Sequence, residues 1–454
     1  MTDERLAAPV ERPTVLTVAG SDSGGGAGVQ ADLKTIEALG AFGTSAITSV
    51  TAQHTRGVTS THPVPVDEVR AQIEAVGSNF DVRAVKTGML GTASVAEVVA
   101  DHAADWTAPV VVDPVMVAAS GDRLLTRAGE DAYEELVAEA TVVTPNAAEA
   151  AALTGVDVRD AATMREAGRE LVDLGADWAL VTGGHVETDD GTVRDVLVGR
   201  DDVVTVDGPR VDTAATHGSG CALSSAIAAR LARRDDPVDA VGFAVGVVER
   251  MIRYPLAVGE GPGAVHHLAP LRDRAARQPT RAAVERIVER LVAADARALI
   301  PEVGTNVAGA TPHAEAVDET VAVEGRLVRI DSGVRSVRGT RFGASSHVAR
   351  FLLAARERDP ALRFAANVRF DERIESPLDA LDAPAIEIDR REEPSPDEEG
   401  STMGWAAERA FDAATGTPAA VYDRGAVGKE AMVRLVAADE ETLTDRLLTL
   451  LDAC

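Results

Sequence analysis

The residues most ready for chemistry are Thr216-His217-Gly218-Ser219-Gly220-Cys221, which lead directly into Ala222-Leu223-Ser224-Ser225-Ala226-Ile227. Gly218 and Gly220 let the backbone turn tightly, so that successive amides point at one spot. Leu223, Ile227 and Leu231 then recur at the spacing of a helix packed on one side. A glycine turn that opens a helix is an anion site, because the first amides lack intrahelical partners and the helix dipole favours negative charge. A thiol in that position has a lowered pKa, so Cys221 is expected to be a thiolate, or to accept a proton, at neutral pH. Such a group suits transfer of a phosphoryl group onto a small alcohol. A plain turn ahead of a helix with a buried structural cysteine carries the same pattern.

A second glycine-rich run, Gly20-Ser21-Asp22-Ser23-Gly24-Gly25-Gly26-Ala27-Gly28, follows the apolar stretch Thr14–Ala19 and precedes Asp32 and Lys34. It allows close approach of a ligand to the backbone, and equally fits a tight strand-to-helix turn. The elements that must position these residues alternate in the first half. β-Branched runs at Thr14–Ala19, Ser45–Thr51, Ala84–Lys86, Val110–Asp113, Thr141–Val143 and Ala179–Val181 are separated by helix-sized intervals. Repeated strand–helix units imply a largely parallel sheet with helices on both faces, and ligands of such sheets sit beyond the carboxyl ends of the strands. Polar or glycine-rich punctuation stands at those ends: Gly20-Ser21-Asp22, Gly88-Met89, Asp113-Pro114, Thr144-Pro145-Asn146 and Thr182-Gly183-Gly184-His185. Asp113 closes an all-apolar strand, where an acid needs a partner.

A chain of 454 residues exceeds one ordinary core. Pro and Gly cluster over 255–280, which reads as a linker zone, and a helix from Arg281 to about Asp295 is expected to open a second unit. The net charge of −28, with Lys confined to Lys34, Lys86 and Lys429, opposes binding to nucleic acid or anionic membranes. It fits solubility in a very salty cytoplasm. Cys221 and Cys454 alone give no disulfide framework, and no apolar run reaches membrane-spanning length, so a soluble cytoplasmic protein is expected. The second half has its own focus at Arg335–Arg350, where Ser345 or Ser346 suits a helix N-cap and His347 falls in the first turn beside several arginines. That combination suits a pyrophosphate, and also a solvated salt-bridge face. The stretch 389–400 reads as a charged surface loop.

The glycine run, with Thr51-Ala52-Gln53-His54-Thr55-Arg56-Gly57, Lys86-Thr87-Gly88-Met89-Leu90, Asp113-Pro114-Val115-Met116, Thr144-Pro145-Asn146-Ala147-Ala148-Glu149 and His217–Cys221, resembles the hydroxymethylpyrimidine/phosphomethylpyrimidine kinases of thiamine biosynthesis, which have a ribokinase-like fold. The resemblance covers 14–268. It implies that Gly20, Asp32, Gln53 and Met89 hold the pyrimidine, and that Gly218, Ser219 and Gly220 form the anion hole with Cys221 as proton acceptor. Asn146, Glu149 and Gly183 would serve ATP, with Asp113 and Glu149 toward Mg²⁺. Thr182 departs from the family pattern, which often has Lys there; His185 and His217 are expected to be loop residues positioned by the turns.

Residues 281–452 are similar to the thiamine-phosphate synthase domain fused to these kinases in archaea. That likeness is carried by Arg335–Arg350, Pro301–Asn306, Gly325–Arg329, Asn367-Val368-Arg369 and Asp423–Glu430. It implies a separate α/β domain in which His347 and Arg326 serve the chemistry while Arg341 and Lys429 contact phosphate or pyrophosphate. The implied substrates are the pyrimidine alcohol, its phosphates, ATP and thiazole phosphate, and family kinases are commonly dimeric. Two alternatives stay open: a sensor role for the second unit, and a related vitamin alcohol such as pyridoxal as the kinase substrate.

Overall fold

The computed structural model describes residues 8–115, 127–184, 186, 188, 191–393, 401–426 and 428–454. Met116, His185, Val427 and residues 394–400 of the charged stretch therefore lie outside the described residues. The chain divides after Leu271 into two compact units.

Unit 1 runs β1 (Thr14–Ala19), α1 (Gly28–Ala38), β2 (Phe42–Ile47), β3 (Ser49–His54), β4 (Gly57–Pro63), α2 (Val66–Gly77), β5 (Val82–Thr87) and α3 (Ala93–Asp105). It continues with β6 (Val110–Val112), α4 (Arg127–Ala138), β7 (Val142–Val143), α5 (Ala147–Thr154), α6 (Ala161–Asp173), β8 (Trp178–Val181), β9 (Thr192–Gly199), β10 (Val203–Pro209), α7 (Ser219–Leu231) and α8 (Pro237–Arg253). The sheet order is β10-β9-β8-β7-β6-β5-β1-β2. Its strands pair in parallel from β2 to β8, and β9 and β10 add an antiparallel edge. Every residue of β1 is buried, as a parallel strand covered on both faces requires. One face packs Val69, Val95, Leu136, Leu153 and Met164 from α2–α6; the other packs Ile36, Ile227 and Val241 from α1, α7 and α8.

The stretch 45–51 is not one strand. Thr48 interrupts it: its amide donates to Ala19 O at 3.0 Å and its hydroxyl to Met89 O at 2.7 Å. The chain then leaves the sheet, and among the described residues β3 pairs only with β4.

Unit 2 carries β11 (Val307–Ala310), β12 (Thr320–Val323), β13 (Leu327–Ile330), β14 (Gly333–Ser336), β15 (Thr340–Phe342), α10 (His347–Arg358), β16 (Phe364–Arg369) and α11 (Glu372–Leu378). β17 (Ala385–Glu387), α12 (Ser401–Ala413), β18 (Ala420–Asp423), β19 (Met432–Ala437) and α13 (Glu440–Asp452) complete it. A helix, α9 (Ala269–Ala293), precedes these elements. It starts well before Arg281 and runs through Pro279, so the end of the supposed linker is helical. A proline removes one backbone donor and kinks a helix, but does not end one whose apolar face is packed, as Val284, Ile287 and Leu291 are here. The sheet order is β15-β12-β11-β16-β19-β18-β17, antiparallel except between β17 and β18. α11, α13 and the later part of α9 cover one face; α10 and α12 cover the other.

Candidate active site

Gly20 follows β1, and its amide donates to Met89 O at 3.0 Å. A Cβ on Gly20 would lie 2.4 Å from Met89 Cε and 2.7 Å from Ser49 Oγ, so a larger residue there would push the Met89 and Ser49 side chains aside. Gln53 joins the same loop. Its amide donates to Ser23 Oγ at 2.8 Å, the Ser23 hydroxyl donates to Gln53 O at 2.7 Å, and Thr51 Oγ1 lies 3.4 Å from Gln53 Oε1. The structure thus gathers Gly20, Met89 and Gln53 beyond β1 and β5. The glycine loop itself is wound around Asp22, whose carboxylate accepts the amides of Gly24, Gly26 and Ala27 at 2.8, 3.0 and 2.7 Å.

Gly218, at φ +85°, is the N-cap of α7. Ser219 N–H closes a turn onto Thr216 O and Ala222 N–H donates to Gly218 O. Between them, the amides of Gly220 and Cys221 occupy the first turn, where helix geometry provides no intrahelical acceptor. These are the residues for which the resemblance implies an anion hole.

Beneath it lies a buried charge network. Lys86 Nζ stands 3.0 Å from both carboxylate oxygens of Asp32 and 3.9 Å from Asp113 Oδ2. Thr17 Oγ1 and Ser225 Oγ donate to Asp32 at 2.7 and 2.8 Å, and Ser224 Oγ donates to Asp113 at 3.2 Å. Asp32 is 0% exposed, and both its oxygens are engaged by Lys86, Thr17 and Ser225. Burial lowers the Lys86 pKa, but Asp32, Cys221 and Asp113 more than offset this and raise it. Lys86 is the residue that the reading of the sequence left without a role. Its signal was there: a lysine ending a Val-rich strand in a chain with few lysines.

The expected thiolate is also corrected. Burial pushes the Cys221 thiol up to about 12, and the nearby Asp32 and Asp113 carboxylates add to this, outweighing Lys86 and the Gly28 amide. Desolvation is the largest of these influences and favours the neutral thiol at neutral pH.

Asn146 and Glu149 form a capping box on α5. Asn146 Oδ1 accepts the amides of Ala148 and Glu149, and Glu149 Oε2 accepts the Asn146 amide at 3.0 Å. The Asn-x-x-Glu spacing signals this. Gly183 N–H donates to Asp195 Oδ1 at 2.8 Å, and a Cβ on Gly183 would lie 1.9 Å from Arg194 O. Thr182 lies beside Asn146 in a parallel bridge. Burial raises the Asp113 pKa, partly countered by Lys86. Asp113 and Glu149 both act electrostatically on the Tyr133 hydroxyl, which donates to Gly88 O at 3.0 Å, so the two carboxylates flank one region. No cluster of three or more His, Cys, Asp or Glu suited to a metal occurs among the described residues. Two carboxylates without a protein cage fit Mg²⁺, which keeps its waters and nucleotide phosphates as ligands.

In unit 2, Arg326 has φ +77° directly after Gly325 at +84°. A left-handed arginine costs about 1–2 kcal/mol, and such strain gathers at functional positions. Its guanidinium donates to Val303 O. The amides of Glu302 and Val303 in turn donate to Glu430, which adjoins Lys429. Arg341 Nε lies 3.3 Å from Glu324 Oε1. The Lys429 ammonium is held by Glu393 at 2.8 and 2.7 Å. His347 Nδ1 lies 3.3 Å from Ser346 Oγ, and Ser346 does not cap α10 with its side chain. Among the described residues no hydrogen bond or ion pair joins any two of Arg326, Arg341, His347 and Lys429. The segment expected to be a simple charged loop is partly built in. Arg390 Nε pairs with the fully buried Asp423 at 2.8 Å, as does Arg434 Nη1 at 2.9 Å, and Arg390 and Glu393 are 9% and 6% exposed in their side chains.

Comparison with known proteins agrees with this division. A sequence model of the phosphomethylpyrimidine kinase family matches residues 22–266, and one described as thiamine-phosphate synthase ThiN matches 283–449. The hydroxymethylpyrimidine/phosphomethylpyrimidine kinase of Streptomyces coelicolor is 46% identical over 260 residues, covering 57% of this chain and 96% of that protein. The thiamine biosynthesis bifunctional protein ThiED of Geobacter sulfurreducens is 44% identical over 268 residues, covering 59% of this chain and 54% of that protein. The Bacillus subtilis pyridoxal kinase in an ADP complex superposes with a TM-score of 0.54 at 32% identity, over 57% of this chain and 98% of that one. Staphylococcus aureus pyridoxal kinase in complex with AMP-PCP and pyridoxal gives 0.53 at 30% identity, over 57% and 95%.

The parallel sheet between two helix layers, with a glycine-opened helix near its carboxyl ends, is a ribokinase-like domain. The chain belongs to the phosphomethylpyrimidine kinase family and carries a ThiN thiamine-phosphate synthase domain. Among the described residues no helix is long and apolar enough to cross a membrane.

Proposed function

We propose that unit 1 moves the γ-phosphoryl group of ATP onto the hydroxymethyl oxygen of 4-amino-5-hydroxymethyl-2-methylpyrimidine, and then phosphorylates the monophosphate in the same way. The observation that carries this reading is the meeting of the Gly20–Met89 surface with the first turn of α7. The Gly28 amide reaches Cys221, and Gly218 packs directly on Gly26. Gln53 has an amide that matches a ring nitrogen and an exocyclic amine, and Met89 offers a polarizable cover for a flat ring.

The hydroxyl oxygen attacks the γ-phosphorus as the bond to the β-phosphate oxygen breaks and its electrons leave with ADP. The amides of Gly218 to Cys221 stabilise the charge on the transferred group. Since Cys221 holds its own proton, the hydroxyl proton passes to an oxygen of the transferred phosphoryl group as the new O–P bond forms, with the Cys221 thiol beside the reacting oxygen. Lys86, 3.9 Å from Asp113 Oδ2, supports the Asp113 carboxylate beneath them. Mg²⁺, when bound, neutralises phosphate charge, with Glu149 and Asp113 the carboxylates on its side and Asn146 and Gly183 shaping the nucleotide side.

Unit 2 would then join the pyrimidine diphosphate to 4-methyl-5-(2-hydroxyethyl)thiazole phosphate. The thiazole nitrogen forms a bond to the pyrimidine methylene as its bond to oxygen breaks, releasing pyrophosphate and thiamine phosphate. Arg326, Arg341, His347 and Lys429 are the proposed groups for the leaving charge. The acidity of the chain supports work in a salty cytoplasm, and a dimer is the oligomeric state proposed.

The likeness to pyridoxal kinases favours one second reading, pyridoxal as the alcohol. Competition between the two alcohols at equal concentration, with both phosphorylated products quantified, tests it. Preference for the pyrimidine supports the first reading; preference for pyridoxal overturns it.

A further inference from the structure

Two glycine loops meet at the kinase site, and a side-chain hydrogen bond crosses between them. His217 Nε2, from the loop that opens α7, lies 3.1 Å from Asp22 Oδ2, the carboxylate around which the loop after β1 is wound. The fit between the loops is tight. A Cβ on Gly26 would lie 2.6 Å from His217 Cδ2, and one on Gly218 would lie 1.8 Å from Gly26 O. The contact is backed from behind. Val265 N–H donates to His217 O at 3.2 Å, and His267 Nε2 lies 3.3 Å from where a Gly218 Cβ would be. His267 is 2% exposed, and its Nε2 has no hydrogen-bond partner among the described residues. Burial, with Lys34 and His217 nearby, pushes its pKa down to about 4, so it presses on the turn as a neutral ring.

The first loop carries Gly20, which touches Met89 and belongs to the alcohol's side. The second carries Gly218 to Cys221, which belong to the phosphoryl side. We infer that Asp22 and His217 are positioning residues that lock these loops in register, so that the alcohol oxygen and the anion site keep a reactive separation. Neither touches the reacting atoms. Their effect comes from geometry, where a displacement of about 1 Å costs on the order of a hundredfold in rate. This inference rests on the kinase reading of unit 1.

The test uses the full-length chain with Mg-ATP and the pyrimidine alcohol, comparing His217→Ala, His217→Gln and Asp22→Asn with the unaltered protein. His217→Ala is expected to lower kcat about tenfold or more, with KM for ATP within about twofold of the unaltered value. His217→Gln retains an N–H donor of similar reach and is expected to recover most of the loss. Asp22→Asn is expected to fall between them. An alanine variant of normal melting temperature and normal kcat overturns the inference, as does a glutamine variant no better than alanine. If the alanine chain does not fold, equal losses in His217→Gln and Asp22→Asn overturn it. No pyrimidine phosphorylation by the unaltered chain instead overturns the kinase reading itself.

Discussion

Lys86 Nζ is held 3.0 Å from both carboxylate oxygens of Asp32, with neither side chain exposed. The pair ties β5 to α1, and through Ser225 it also reaches α7, the helix that carries the anion site. A buried ion pair is weak evidence of added stability, because desolvation offsets much of the attraction. Breaking one is another matter. Lys86→Met leaves Asp32 buried without its cation, and is expected to lower unfolding stability by about 3–5 kcal/mol. Lys86→Met with Asp32→Leu should recover much of that. Urea unfolding of the single and double variants measures both; equal losses in the two contradict a buried pair.

Cys221 offers a pH test. A thiol held protonated up to about 12 in the fold ionises near the ordinary thiol value once the chain unfolds. Between those values the unfolded chain binds fewer protons, so stability should fall as pH rises above about 9. Below that range the group contributes no pH dependence. The Cys221→Ala variant should lack this component. Kinase kcat should also be flat between about pH 7 and 8.5; a tenfold rise per pH unit there would show a thiolate base instead.

Gly218 is expected to tolerate no side chain. Its φ of +85° is strained for any other residue, and an added Cβ would lie 1.8 Å from Gly26 O. Gly218→Ala should reduce kcat on the pyrimidine about a hundredfold. Wild-type kinetics in that variant would show that the turn is not the phosphoryl site.

Asp423 bears on unit 2. It is fully buried and serves both Arg390 and Arg434, so Asp423→Asn leaves two guanidinium groups short of charge and should cost about 3–5 kcal/mol. Thiamine phosphate formation should fall sharply while pyrimidine diphosphate still accumulates. Loss of both activities together would contradict separate catalytic units.

Much of unit 1 was legible because its signals are local. Short apolar runs with glycine or polar ends at helix-sized intervals fix a parallel sheet and put Gly20, Met89 and Gly218 at its carboxyl ends. What was not legible depends on three dimensions. Asp32 and Lys86 are far apart in sequence, so nothing in the spacing shows that they neutralise each other. The helix-terminus argument for Cys221 was sound locally, but the burial that raises its pKa, and the charges of Lys86, Asp32 and Asp113 around it, come from other elements. Thr48 ended β2 through a bond to Ala19, which no propensity encodes. Glu393 and Arg390 looked like solvated charges, yet their partners Lys429 and Asp423 lie on a later loop and strand.

The most direct measurement of the central claim is one-pot synthesis in high potassium chloride. Full-length protein would receive the pyrimidine alcohol, Mg-ATP and thiazole phosphate, with Cys221→Ala and His347→Ala in parallel. Thiamine phosphate is expected from the unaltered chain. His347→Ala should stop at the pyrimidine diphosphate, and Cys221→Ala should stall at the alcohol. An unaltered, folded chain that itself stops at the diphosphate would contradict a synthase in unit 2 and leave that unit a sensor.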